Sequence, residues 1–144
     1  MAQDVKLDAT ALNAFMAEIF PQVAREYRVE HVAPMQADVR LITAPHHLRP
    51  GGTVSGPAIF ALADLAMYAV TLAMIGREAL TVTTNASLDF MRKPAAGRDL
   101  IGKARLLKLG RVLAVGDVMV FSEGTDAPVA RAGMTYSIPP QRNG

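Results

Sequence analysis

The 144-residue sequence contains no cysteine and no tryptophan. Without cysteine there can be no disulfide, no thiolate metal site and no cysteine nucleophile. Aromatic residues are few, five Phe and three Tyr, and no run of Lys or Arg is present. The combination of stacking side chains and phosphate-binding cations that marks a nucleic-acid binder is therefore missing. Charged residues make up 19% of the chain, against roughly 25% in soluble domains. A surface with so little charge is expected to lose area to an oligomer, although a compact Ala-rich domain has the same composition. The net charge of +2 is mild and suits an anionic small-molecule ligand without requiring one. The N-terminal MAQDVKLDAT is polar and acidic, unlike a signal peptide, so a cytoplasmic protein is expected.

Half of the chain, 51%, is apolar, enough to build the core of one domain of this length. The longest apolar stretch, residues 57–75, carries a single charge, Asp64. It resembles a membrane span in length alone. Gly-rich sequence precedes it, an Arg–Glu pair follows it, and an Asp at the bilayer centre costs roughly 2.5–3.5 kcal/mol. No membrane partner is expected. A helix here is hydrophobic on all faces and must be buried all round, and at about 1.5 Å per residue it is nearly 30 Å long. A domain of this size hides such a rod only by wrapping a sheet around it. Ser55 is placed to cap the helix, Pro57 suits its first turn and Gly76 its end.

The flanking sequence supplies the wrapping. Residues 8–25 read as a helix capped by Asp8, with Leu12, Phe15, Met16, Ile19 and Phe20 in one stripe and Pro21 kinking or dividing it. Strands are expected near 28–32 and 36–43. The Pro- and Gly-rich APHHLRPGGTVSGP that follows is a loop. Beyond the helix, residues 80–91 alternate, with Leu80, Val82, Thr84, Ala86, Leu88 and Phe90 on one face and Thr81, Thr83, Asn85, Ser87 and Asp89 on the other. Further strands at 100–109, 112–121 and 129–138 complete an antiparallel meander, and the QRNG tail is expected to be disordered. The whole is one α+β domain over residues 1–144: an N-terminal helix at 8–25 and a core at 28–138, with an antiparallel sheet wrapped around a long central apolar helix.

Several segments resemble the hotdog-fold thioesterase superfamily and, within it, the PaaI-like acyl-CoA thioesterases. These are HLRPGGTVSGPAIFALAD at 47–64, FMRKPAAG at 90–97, LGR at 109–111 and ARAGMTYSI at 130–138. The family pattern is His-x-Asn, then His-Gly-Gly, then an acidic residue eight positions after the first Gly. Gly56 falls on that glycine and Asp64 on the acid. Arg49 stands in place of the Asn, Ser55 in place of the second His, and Pro57 in place of the second Gly. The resemblance implies a hotdog fold, hydrolysis of acyl-CoA thioesters with coenzyme A entering only as part of the substrate, and a site at a dimer interface.

Thioester hydrolysis needs a donor for the developing oxyanion and a group that attacks or activates water. The Gly56 amide at a helix N-terminus suits the first task; Gly56 equally suits a tight loop-to-helix turn. Asp64, alone in an apolar helix, must be hydrogen-bonded, pKa-shifted or connected to a site. As a functional group it is a general base or a nucleophile; as a structural one it ties down a loop. Eight residues of helix separate Gly56 from Asp64 by about 12 Å, so one thioester reaches both only if a second chain contributes one of them. A homodimer or homotetramer follows from the hypothesis. Thr83 aligns with a family hydroxyl that orients water, or is an ordinary strand residue. His47 aligns with the family's first His and, with Ser55 and with Arg49 in the loop beside the proposed oxyanion site, is a candidate for substrate binding; a lone loop His is more often a backbone-bonding residue. Arg49 could bind an anion or pair with Asp64. His46 and His47, adjacent in an extended loop, would point apart with no third ligand, so no metal site is expected. Arg92, Lys93, Lys108 and Arg111 are candidates for coenzyme A phosphates, or plain edge charges. A non-catalytic hotdog module that binds acyl thioesters or a partner protein is the rival reading. A hotdog dehydratase ranks last, since the helix carries no His.

Overall fold

The computed structural model describes residues 4–140, so the QRNG tail lies outside the described residues. Helix α1 (Ala9–Ile19) starts where the Asp8 carboxylate accepts the Ala11 amide at 2.9 Å. It ends at Phe20, whose backbone leaves the helical region, and Pro21 opens a separate short helix α2 (Pro21–Ala24). Pro21 therefore divides the expected helix rather than bending it. Strands β1 (Tyr27–Ala33) and β2 (Gln36–Leu41) form a hairpin. A 3-10 turn (Pro45–His47) lies in the loop that follows.

Helix α3 (Gly56–Ile75) is the long apolar rod. Ser55 Oγ accepts the Ala58 amide at 3.3 Å, and Gly76 ends the helix in the left-handed region at φ 98°. Thirteen of its twenty residues are buried, and the helix touches all six strands of the sheet. By length and composition it could cross a membrane, yet 72% of its apolar window is already covered by the rest of the chain. Its burial is not all round, however. Pro57, Phe60 and Ala61 in its first two turns are exposed.

Strands β3 (Val82–Phe90), β4 (Leu100–Leu109), β5 (Leu113–Ser122) and β6 (Pro128–Ser137) join β1 and β2 in one antiparallel sheet. Its order is β1-β2-β4-β5-β6-β3. This is the hotdog arrangement, with one correction to the expected meander. Only β4, β5 and β6 run as neighbours; β3 lies at the far edge beside β6, and the chain crosses over before β4. Gly116 on β5 lets the sheet close on the helix, since a Cβ there would lie 2.5 Å from the Arg105 carbonyl and 3.0 Å from Met67 Sδ.

The two sheet edges differ. Asn13 of α1 accepts the Val29 amide and donates to the Val29 carbonyl, both at 2.9 Å, which blunts the β1 edge. β3 has no such cover and is exposed along almost its whole length on both faces. Its alternation also breaks. Thr83 pairs with Tyr136 and Asn85 with Thr135, so a bulge intervenes. Thr83 bonds to Asp64 of α3, and Phe90 packs against Gly56 of the same helix. Strict alternation would have put residues 83 and 90 on opposite faces; the bulge turns both towards α3.

Candidate active site

Asp64 sits in the third turn of α3, half-buried. Its Oδ1 accepts the Thr83 hydroxyl at 2.6 Å and the Tyr136 phenol at 2.7 Å. The phenol oxygen is also 2.8 Å from the Asp64 carbonyl oxygen. Among the described residues, no hydrogen bond reaches Asp64 Oδ2. The carboxylate opens on a cavity of about 380 Å³ whose walls include Phe20, Tyr27, Leu65 and Tyr68. The surroundings keep the neighbouring phenols protonated. Burial, then the charges of Glu26 and Asp64, push Tyr27 up to about 12. Burial first and the Asp64 charge second push Tyr136 well above the usual phenol range. A phenol held in that form is a donor to the carboxylate.

Gly56 opens α3 at a separate cleft, lined by Gly56, Pro57, Phe60, Leu88 and Phe90. The first turn leaves one amide free. Ala58 donates to Ser55 Oγ, Ile59 donates to the Ser55 carbonyl, and Pro57 has no N–H. Among the described residues, the Gly56 N–H has no partner. Nor does the fold require glycine at this position. Its backbone is outside the left-handed region, and a methyl added there would meet the Phe90 ring at 3.7 Å, an ordinary contact. The turn reading of Gly56 therefore has no steric basis within the chain. The Gly56 cleft and the Asp64 cavity share no lining residue.

The other expected residues fall in different places. Ser55 Oγ is engaged in the helix cap. His47 is buried, and its ring lines neither cavity. Its Nδ1 accepts the Ala44 amide at 2.9 Å, which puts its proton on Nε2, 2.7 Å from Glu26 Oε1. His46 Nε2 lies 3.2 Å from Glu26 Oε2, and the two imidazole rings are 4.1 Å apart. The expectation that the histidines point apart is thus overturned: the 3-10 turn, not an extended loop, carries both onto Glu26. The three groups offer ligand atoms within 4.8 Å of one another. The Ala44 amide works against a metal there, because His47 would have to give up its only ring proton to coordinate through Nε2. Instead the cluster fastens the loop to the start of β1, while the His47 carbonyl accepts the Ser55 amide at 2.8 Å.

The Arg49 side chain is exposed and forms no ion pair with Asp64, whose partners are hydroxyls. Arg92 donates to the Pro128 carbonyl at 2.8 Å, and Lys93 beside it is exposed. Both follow Phe90 and so stand near the Gly56 end of α3. Arg111 lies at the other end, in a groove with Met74 and Ile75. The sequence reading missed Glu26 and Tyr136. Tyr136 had a signal: it follows Ala130, Ala132 and Met134 in the inward register of β6, and a buried tyrosine hydroxyl must find a partner.

The profile of the Thioesterase superfamily matches residues 51–129. A candidate thioesterase from Silicibacter sp. is 59% identical, covers 97% of each chain and superposes with a TM-score of 0.90. A point mutant of the phenylacetic acid degradation protein PaaI from Thermus thermophilus is 29% identical over 83% of this chain and 99% of its own, with a TM-score of 0.70. A hypothetical thioesterase from Streptococcus pneumoniae, solved with coenzyme A, is 21% identical over 81% of this chain and 91% of its own, with a TM-score of 0.70, and shares the fold. No curated protein matches the sequence significantly. With the hotdog fold, a helix carboxylate over a cavity and a free amide at the start of the same helix, the chain belongs to the thioesterase superfamily, and its general chemistry is acyl-thioester hydrolysis.

Proposed function

We propose that the protein hydrolyses acyl-CoA thioesters at a site built by two copies of the chain. In this reading the Gly56 amide of one subunit receives the oxyanion and Asp64 of the partner subunit is the base or nucleophile. The observation that carries it is how β3 spaces the two half-sites. Gly56 packs on Phe90 at one end of β3, and Asp64 bonds to Thr83 near the other. β3 is also the bare edge of the sheet. Antiparallel pairing of two β3 strands about Ala86 sets the Phe90 end of one beside the Val82–Thr83 end of the other. Gly56 of the partner subunit then reaches the Asp64 cavity, which it cannot do across about 12 Å within one chain. Arg92 and Lys93 travel with the Phe90 end and supply cations for phosphates at the mouth. The coenzyme A in the streptococcal structure is in keeping with that substrate.

The chemistry needs no further group. Water held at Asp64 Oδ2 attacks the thioester carbon as the carboxylate takes its proton, or Oδ2 attacks directly and water cleaves the resulting anhydride. In both routes the carbonyl oxygen gains charge opposite the Gly56 N–H and the C–S bond breaks; in the first the departing thiolate takes the proton that Asp64 received from water, and in the second it is protonated from solvent while water, in cleaving the anhydride, releases the acid and restores the Asp64 carboxylate.

Release of free thiol from a panel of acyl-CoAs tests the assignment. Wild-type protein should turn over, and Asp64→Asn should lose activity by on the order of 100-fold or more. Gly56→Ala, which the fold accommodates, should keep its melting temperature and lose kcat/KM. Undiminished turnover by Asp64→Asn removes Asp64 from the chemistry. A wild type that hydrolyses no acyl-CoA yet is stabilised by one is a binding module instead.

A further inference from the structure

Resting on that reading of Asp64, we infer that Tyr136 is a positioning residue of the reaction, holding Asp64 Oδ1 so that Oδ2 alone faces the substrate cavity. An aspartate on a helix has two side-chain torsions to fix, and one hydrogen bond leaves the carboxylate free to swing about it. Here Oδ1 takes two short bonds, 2.6 Å from Thr83 and 2.7 Å from Tyr136, from two different strands.

The two donors are not equivalent. Thr83 stands on β3 beside the bulge, where the ladder to β6 is interrupted. Tyr136 stands on β6, which is paired on both sides by β5 and β3. Its ring is 2% exposed and its centroid lies 6.2 Å from that of Tyr68. The phenol, carried on a ring packed in the core, is therefore the firmer tether of the two. The Asp64 carbonyl oxygen, 2.8 Å from the phenol oxygen, shares that single O–H with Oδ1 and so sets it against the helix backbone as well as the carboxylate. Side chain and helix are thereby held in one geometry, as attack by a single oxygen demands.

Tyr136→Phe keeps the ring and deletes the donor. Steady-state kinetics on an acyl-CoA that the wild type turns over should show kcat falling about 10- to 100-fold with KM within about twofold, while melting temperature and sedimentation stay those of the wild type. Thr83→Val removes the other donor to Oδ1 and should also lower kcat, by a smaller factor than Tyr136→Phe. The double variant should lose more than the product of the two single losses, because both donors serve one oxygen.

The assignment is overturned if Tyr136→Phe retains wild-type kcat, or if its loss appears in KM alone. Should that variant fail to fold, Thr83→Val still decides, since abolished activity there makes threonine the tether. Asp64→Asn with undiminished turnover sinks the underlying reading of Asp64, an outcome distinct from either of these.

Discussion

At the scale of single residues, the half-sites are governed by which polar atoms are already occupied. Ser55 spends its hydroxyl on Ala58, and Gly56 is left with the one free amide of the first turn. The Glu26–His47 pair secures the loop that delivers this amide. Its pH dependence has a definite sign. The hydrogen bond from His47, the largest effect, holds the Glu26 carboxyl below its ordinary value of 4.5. A carboxylate depressed on folding adds stability that is present above the unfolded value and lost as pH falls through the folded one. Glu26→Gln should therefore melt below the wild type at pH 7, with the gap closing as pH drops below about 4.5. Melting curves from pH 7 to pH 3 check it, and a gap constant across that range would dismiss the pair as a source of stability. The residues of the proposed half-sites were candidates in the sequence, Asp64 as a lone charge in an apolar run and Gly56 at the helix start. Glu26 was not, because its partners lie some twenty residues away and meet it only through a turn of unforeseen shape.

At the scale of elements, two local features place the site. The bulge at Thr84 turns the start and the end of β3 towards the same helix, so one strand serves both half-sites. Periodicity predicted the strand but could not show the bulge, since an inserted residue leaves the run of polar and apolar letters unchanged while reversing the faces beyond it. The second feature is the closeness of β5 to α3. Gly116 faces Met67 where any side chain would collide with the Arg105 carbonyl. Gly116→Ala should destabilise the protein by about 1–3 kcal/mol through overpacking, read as a lowered midpoint in thermal or urea unfolding. An unchanged midpoint would mean that the strand yields without strain.

For the whole molecule, the proposed shared site needs two chains. The β1 edge is covered by α1, while the β3 edge and the first turns of α3 present Phe60, Phe90 and Met91 to solvent at 39%, 57% and 43% exposure. Apolar exposure next to an open strand edge is where the proposed shared site has a second copy pair. Phe60→Lys should leave each chain folded, shift sedimentation towards the monomer and lower turnover as the shared site comes apart. Full activity from a monomeric variant would place the whole site within one chain.

The sequence by itself determined the architecture. A nineteen-residue apolar run with one acid, between Gly-rich and charged flanks, points to a core helix, and the alternating segments after it point to its sheet. It also singled out the two residues of the proposed chemistry, Asp64 as an isolated charge and Gly56 through its place in the resemblance to the family. Only the tertiary structure decided what surrounds them. Sheet order, the edge left bare, the bulge, the Tyr136 tether and the Glu26 cluster all depend on contacts between distant segments. Neither the periodicity of one segment nor its composition records which neighbour it will meet.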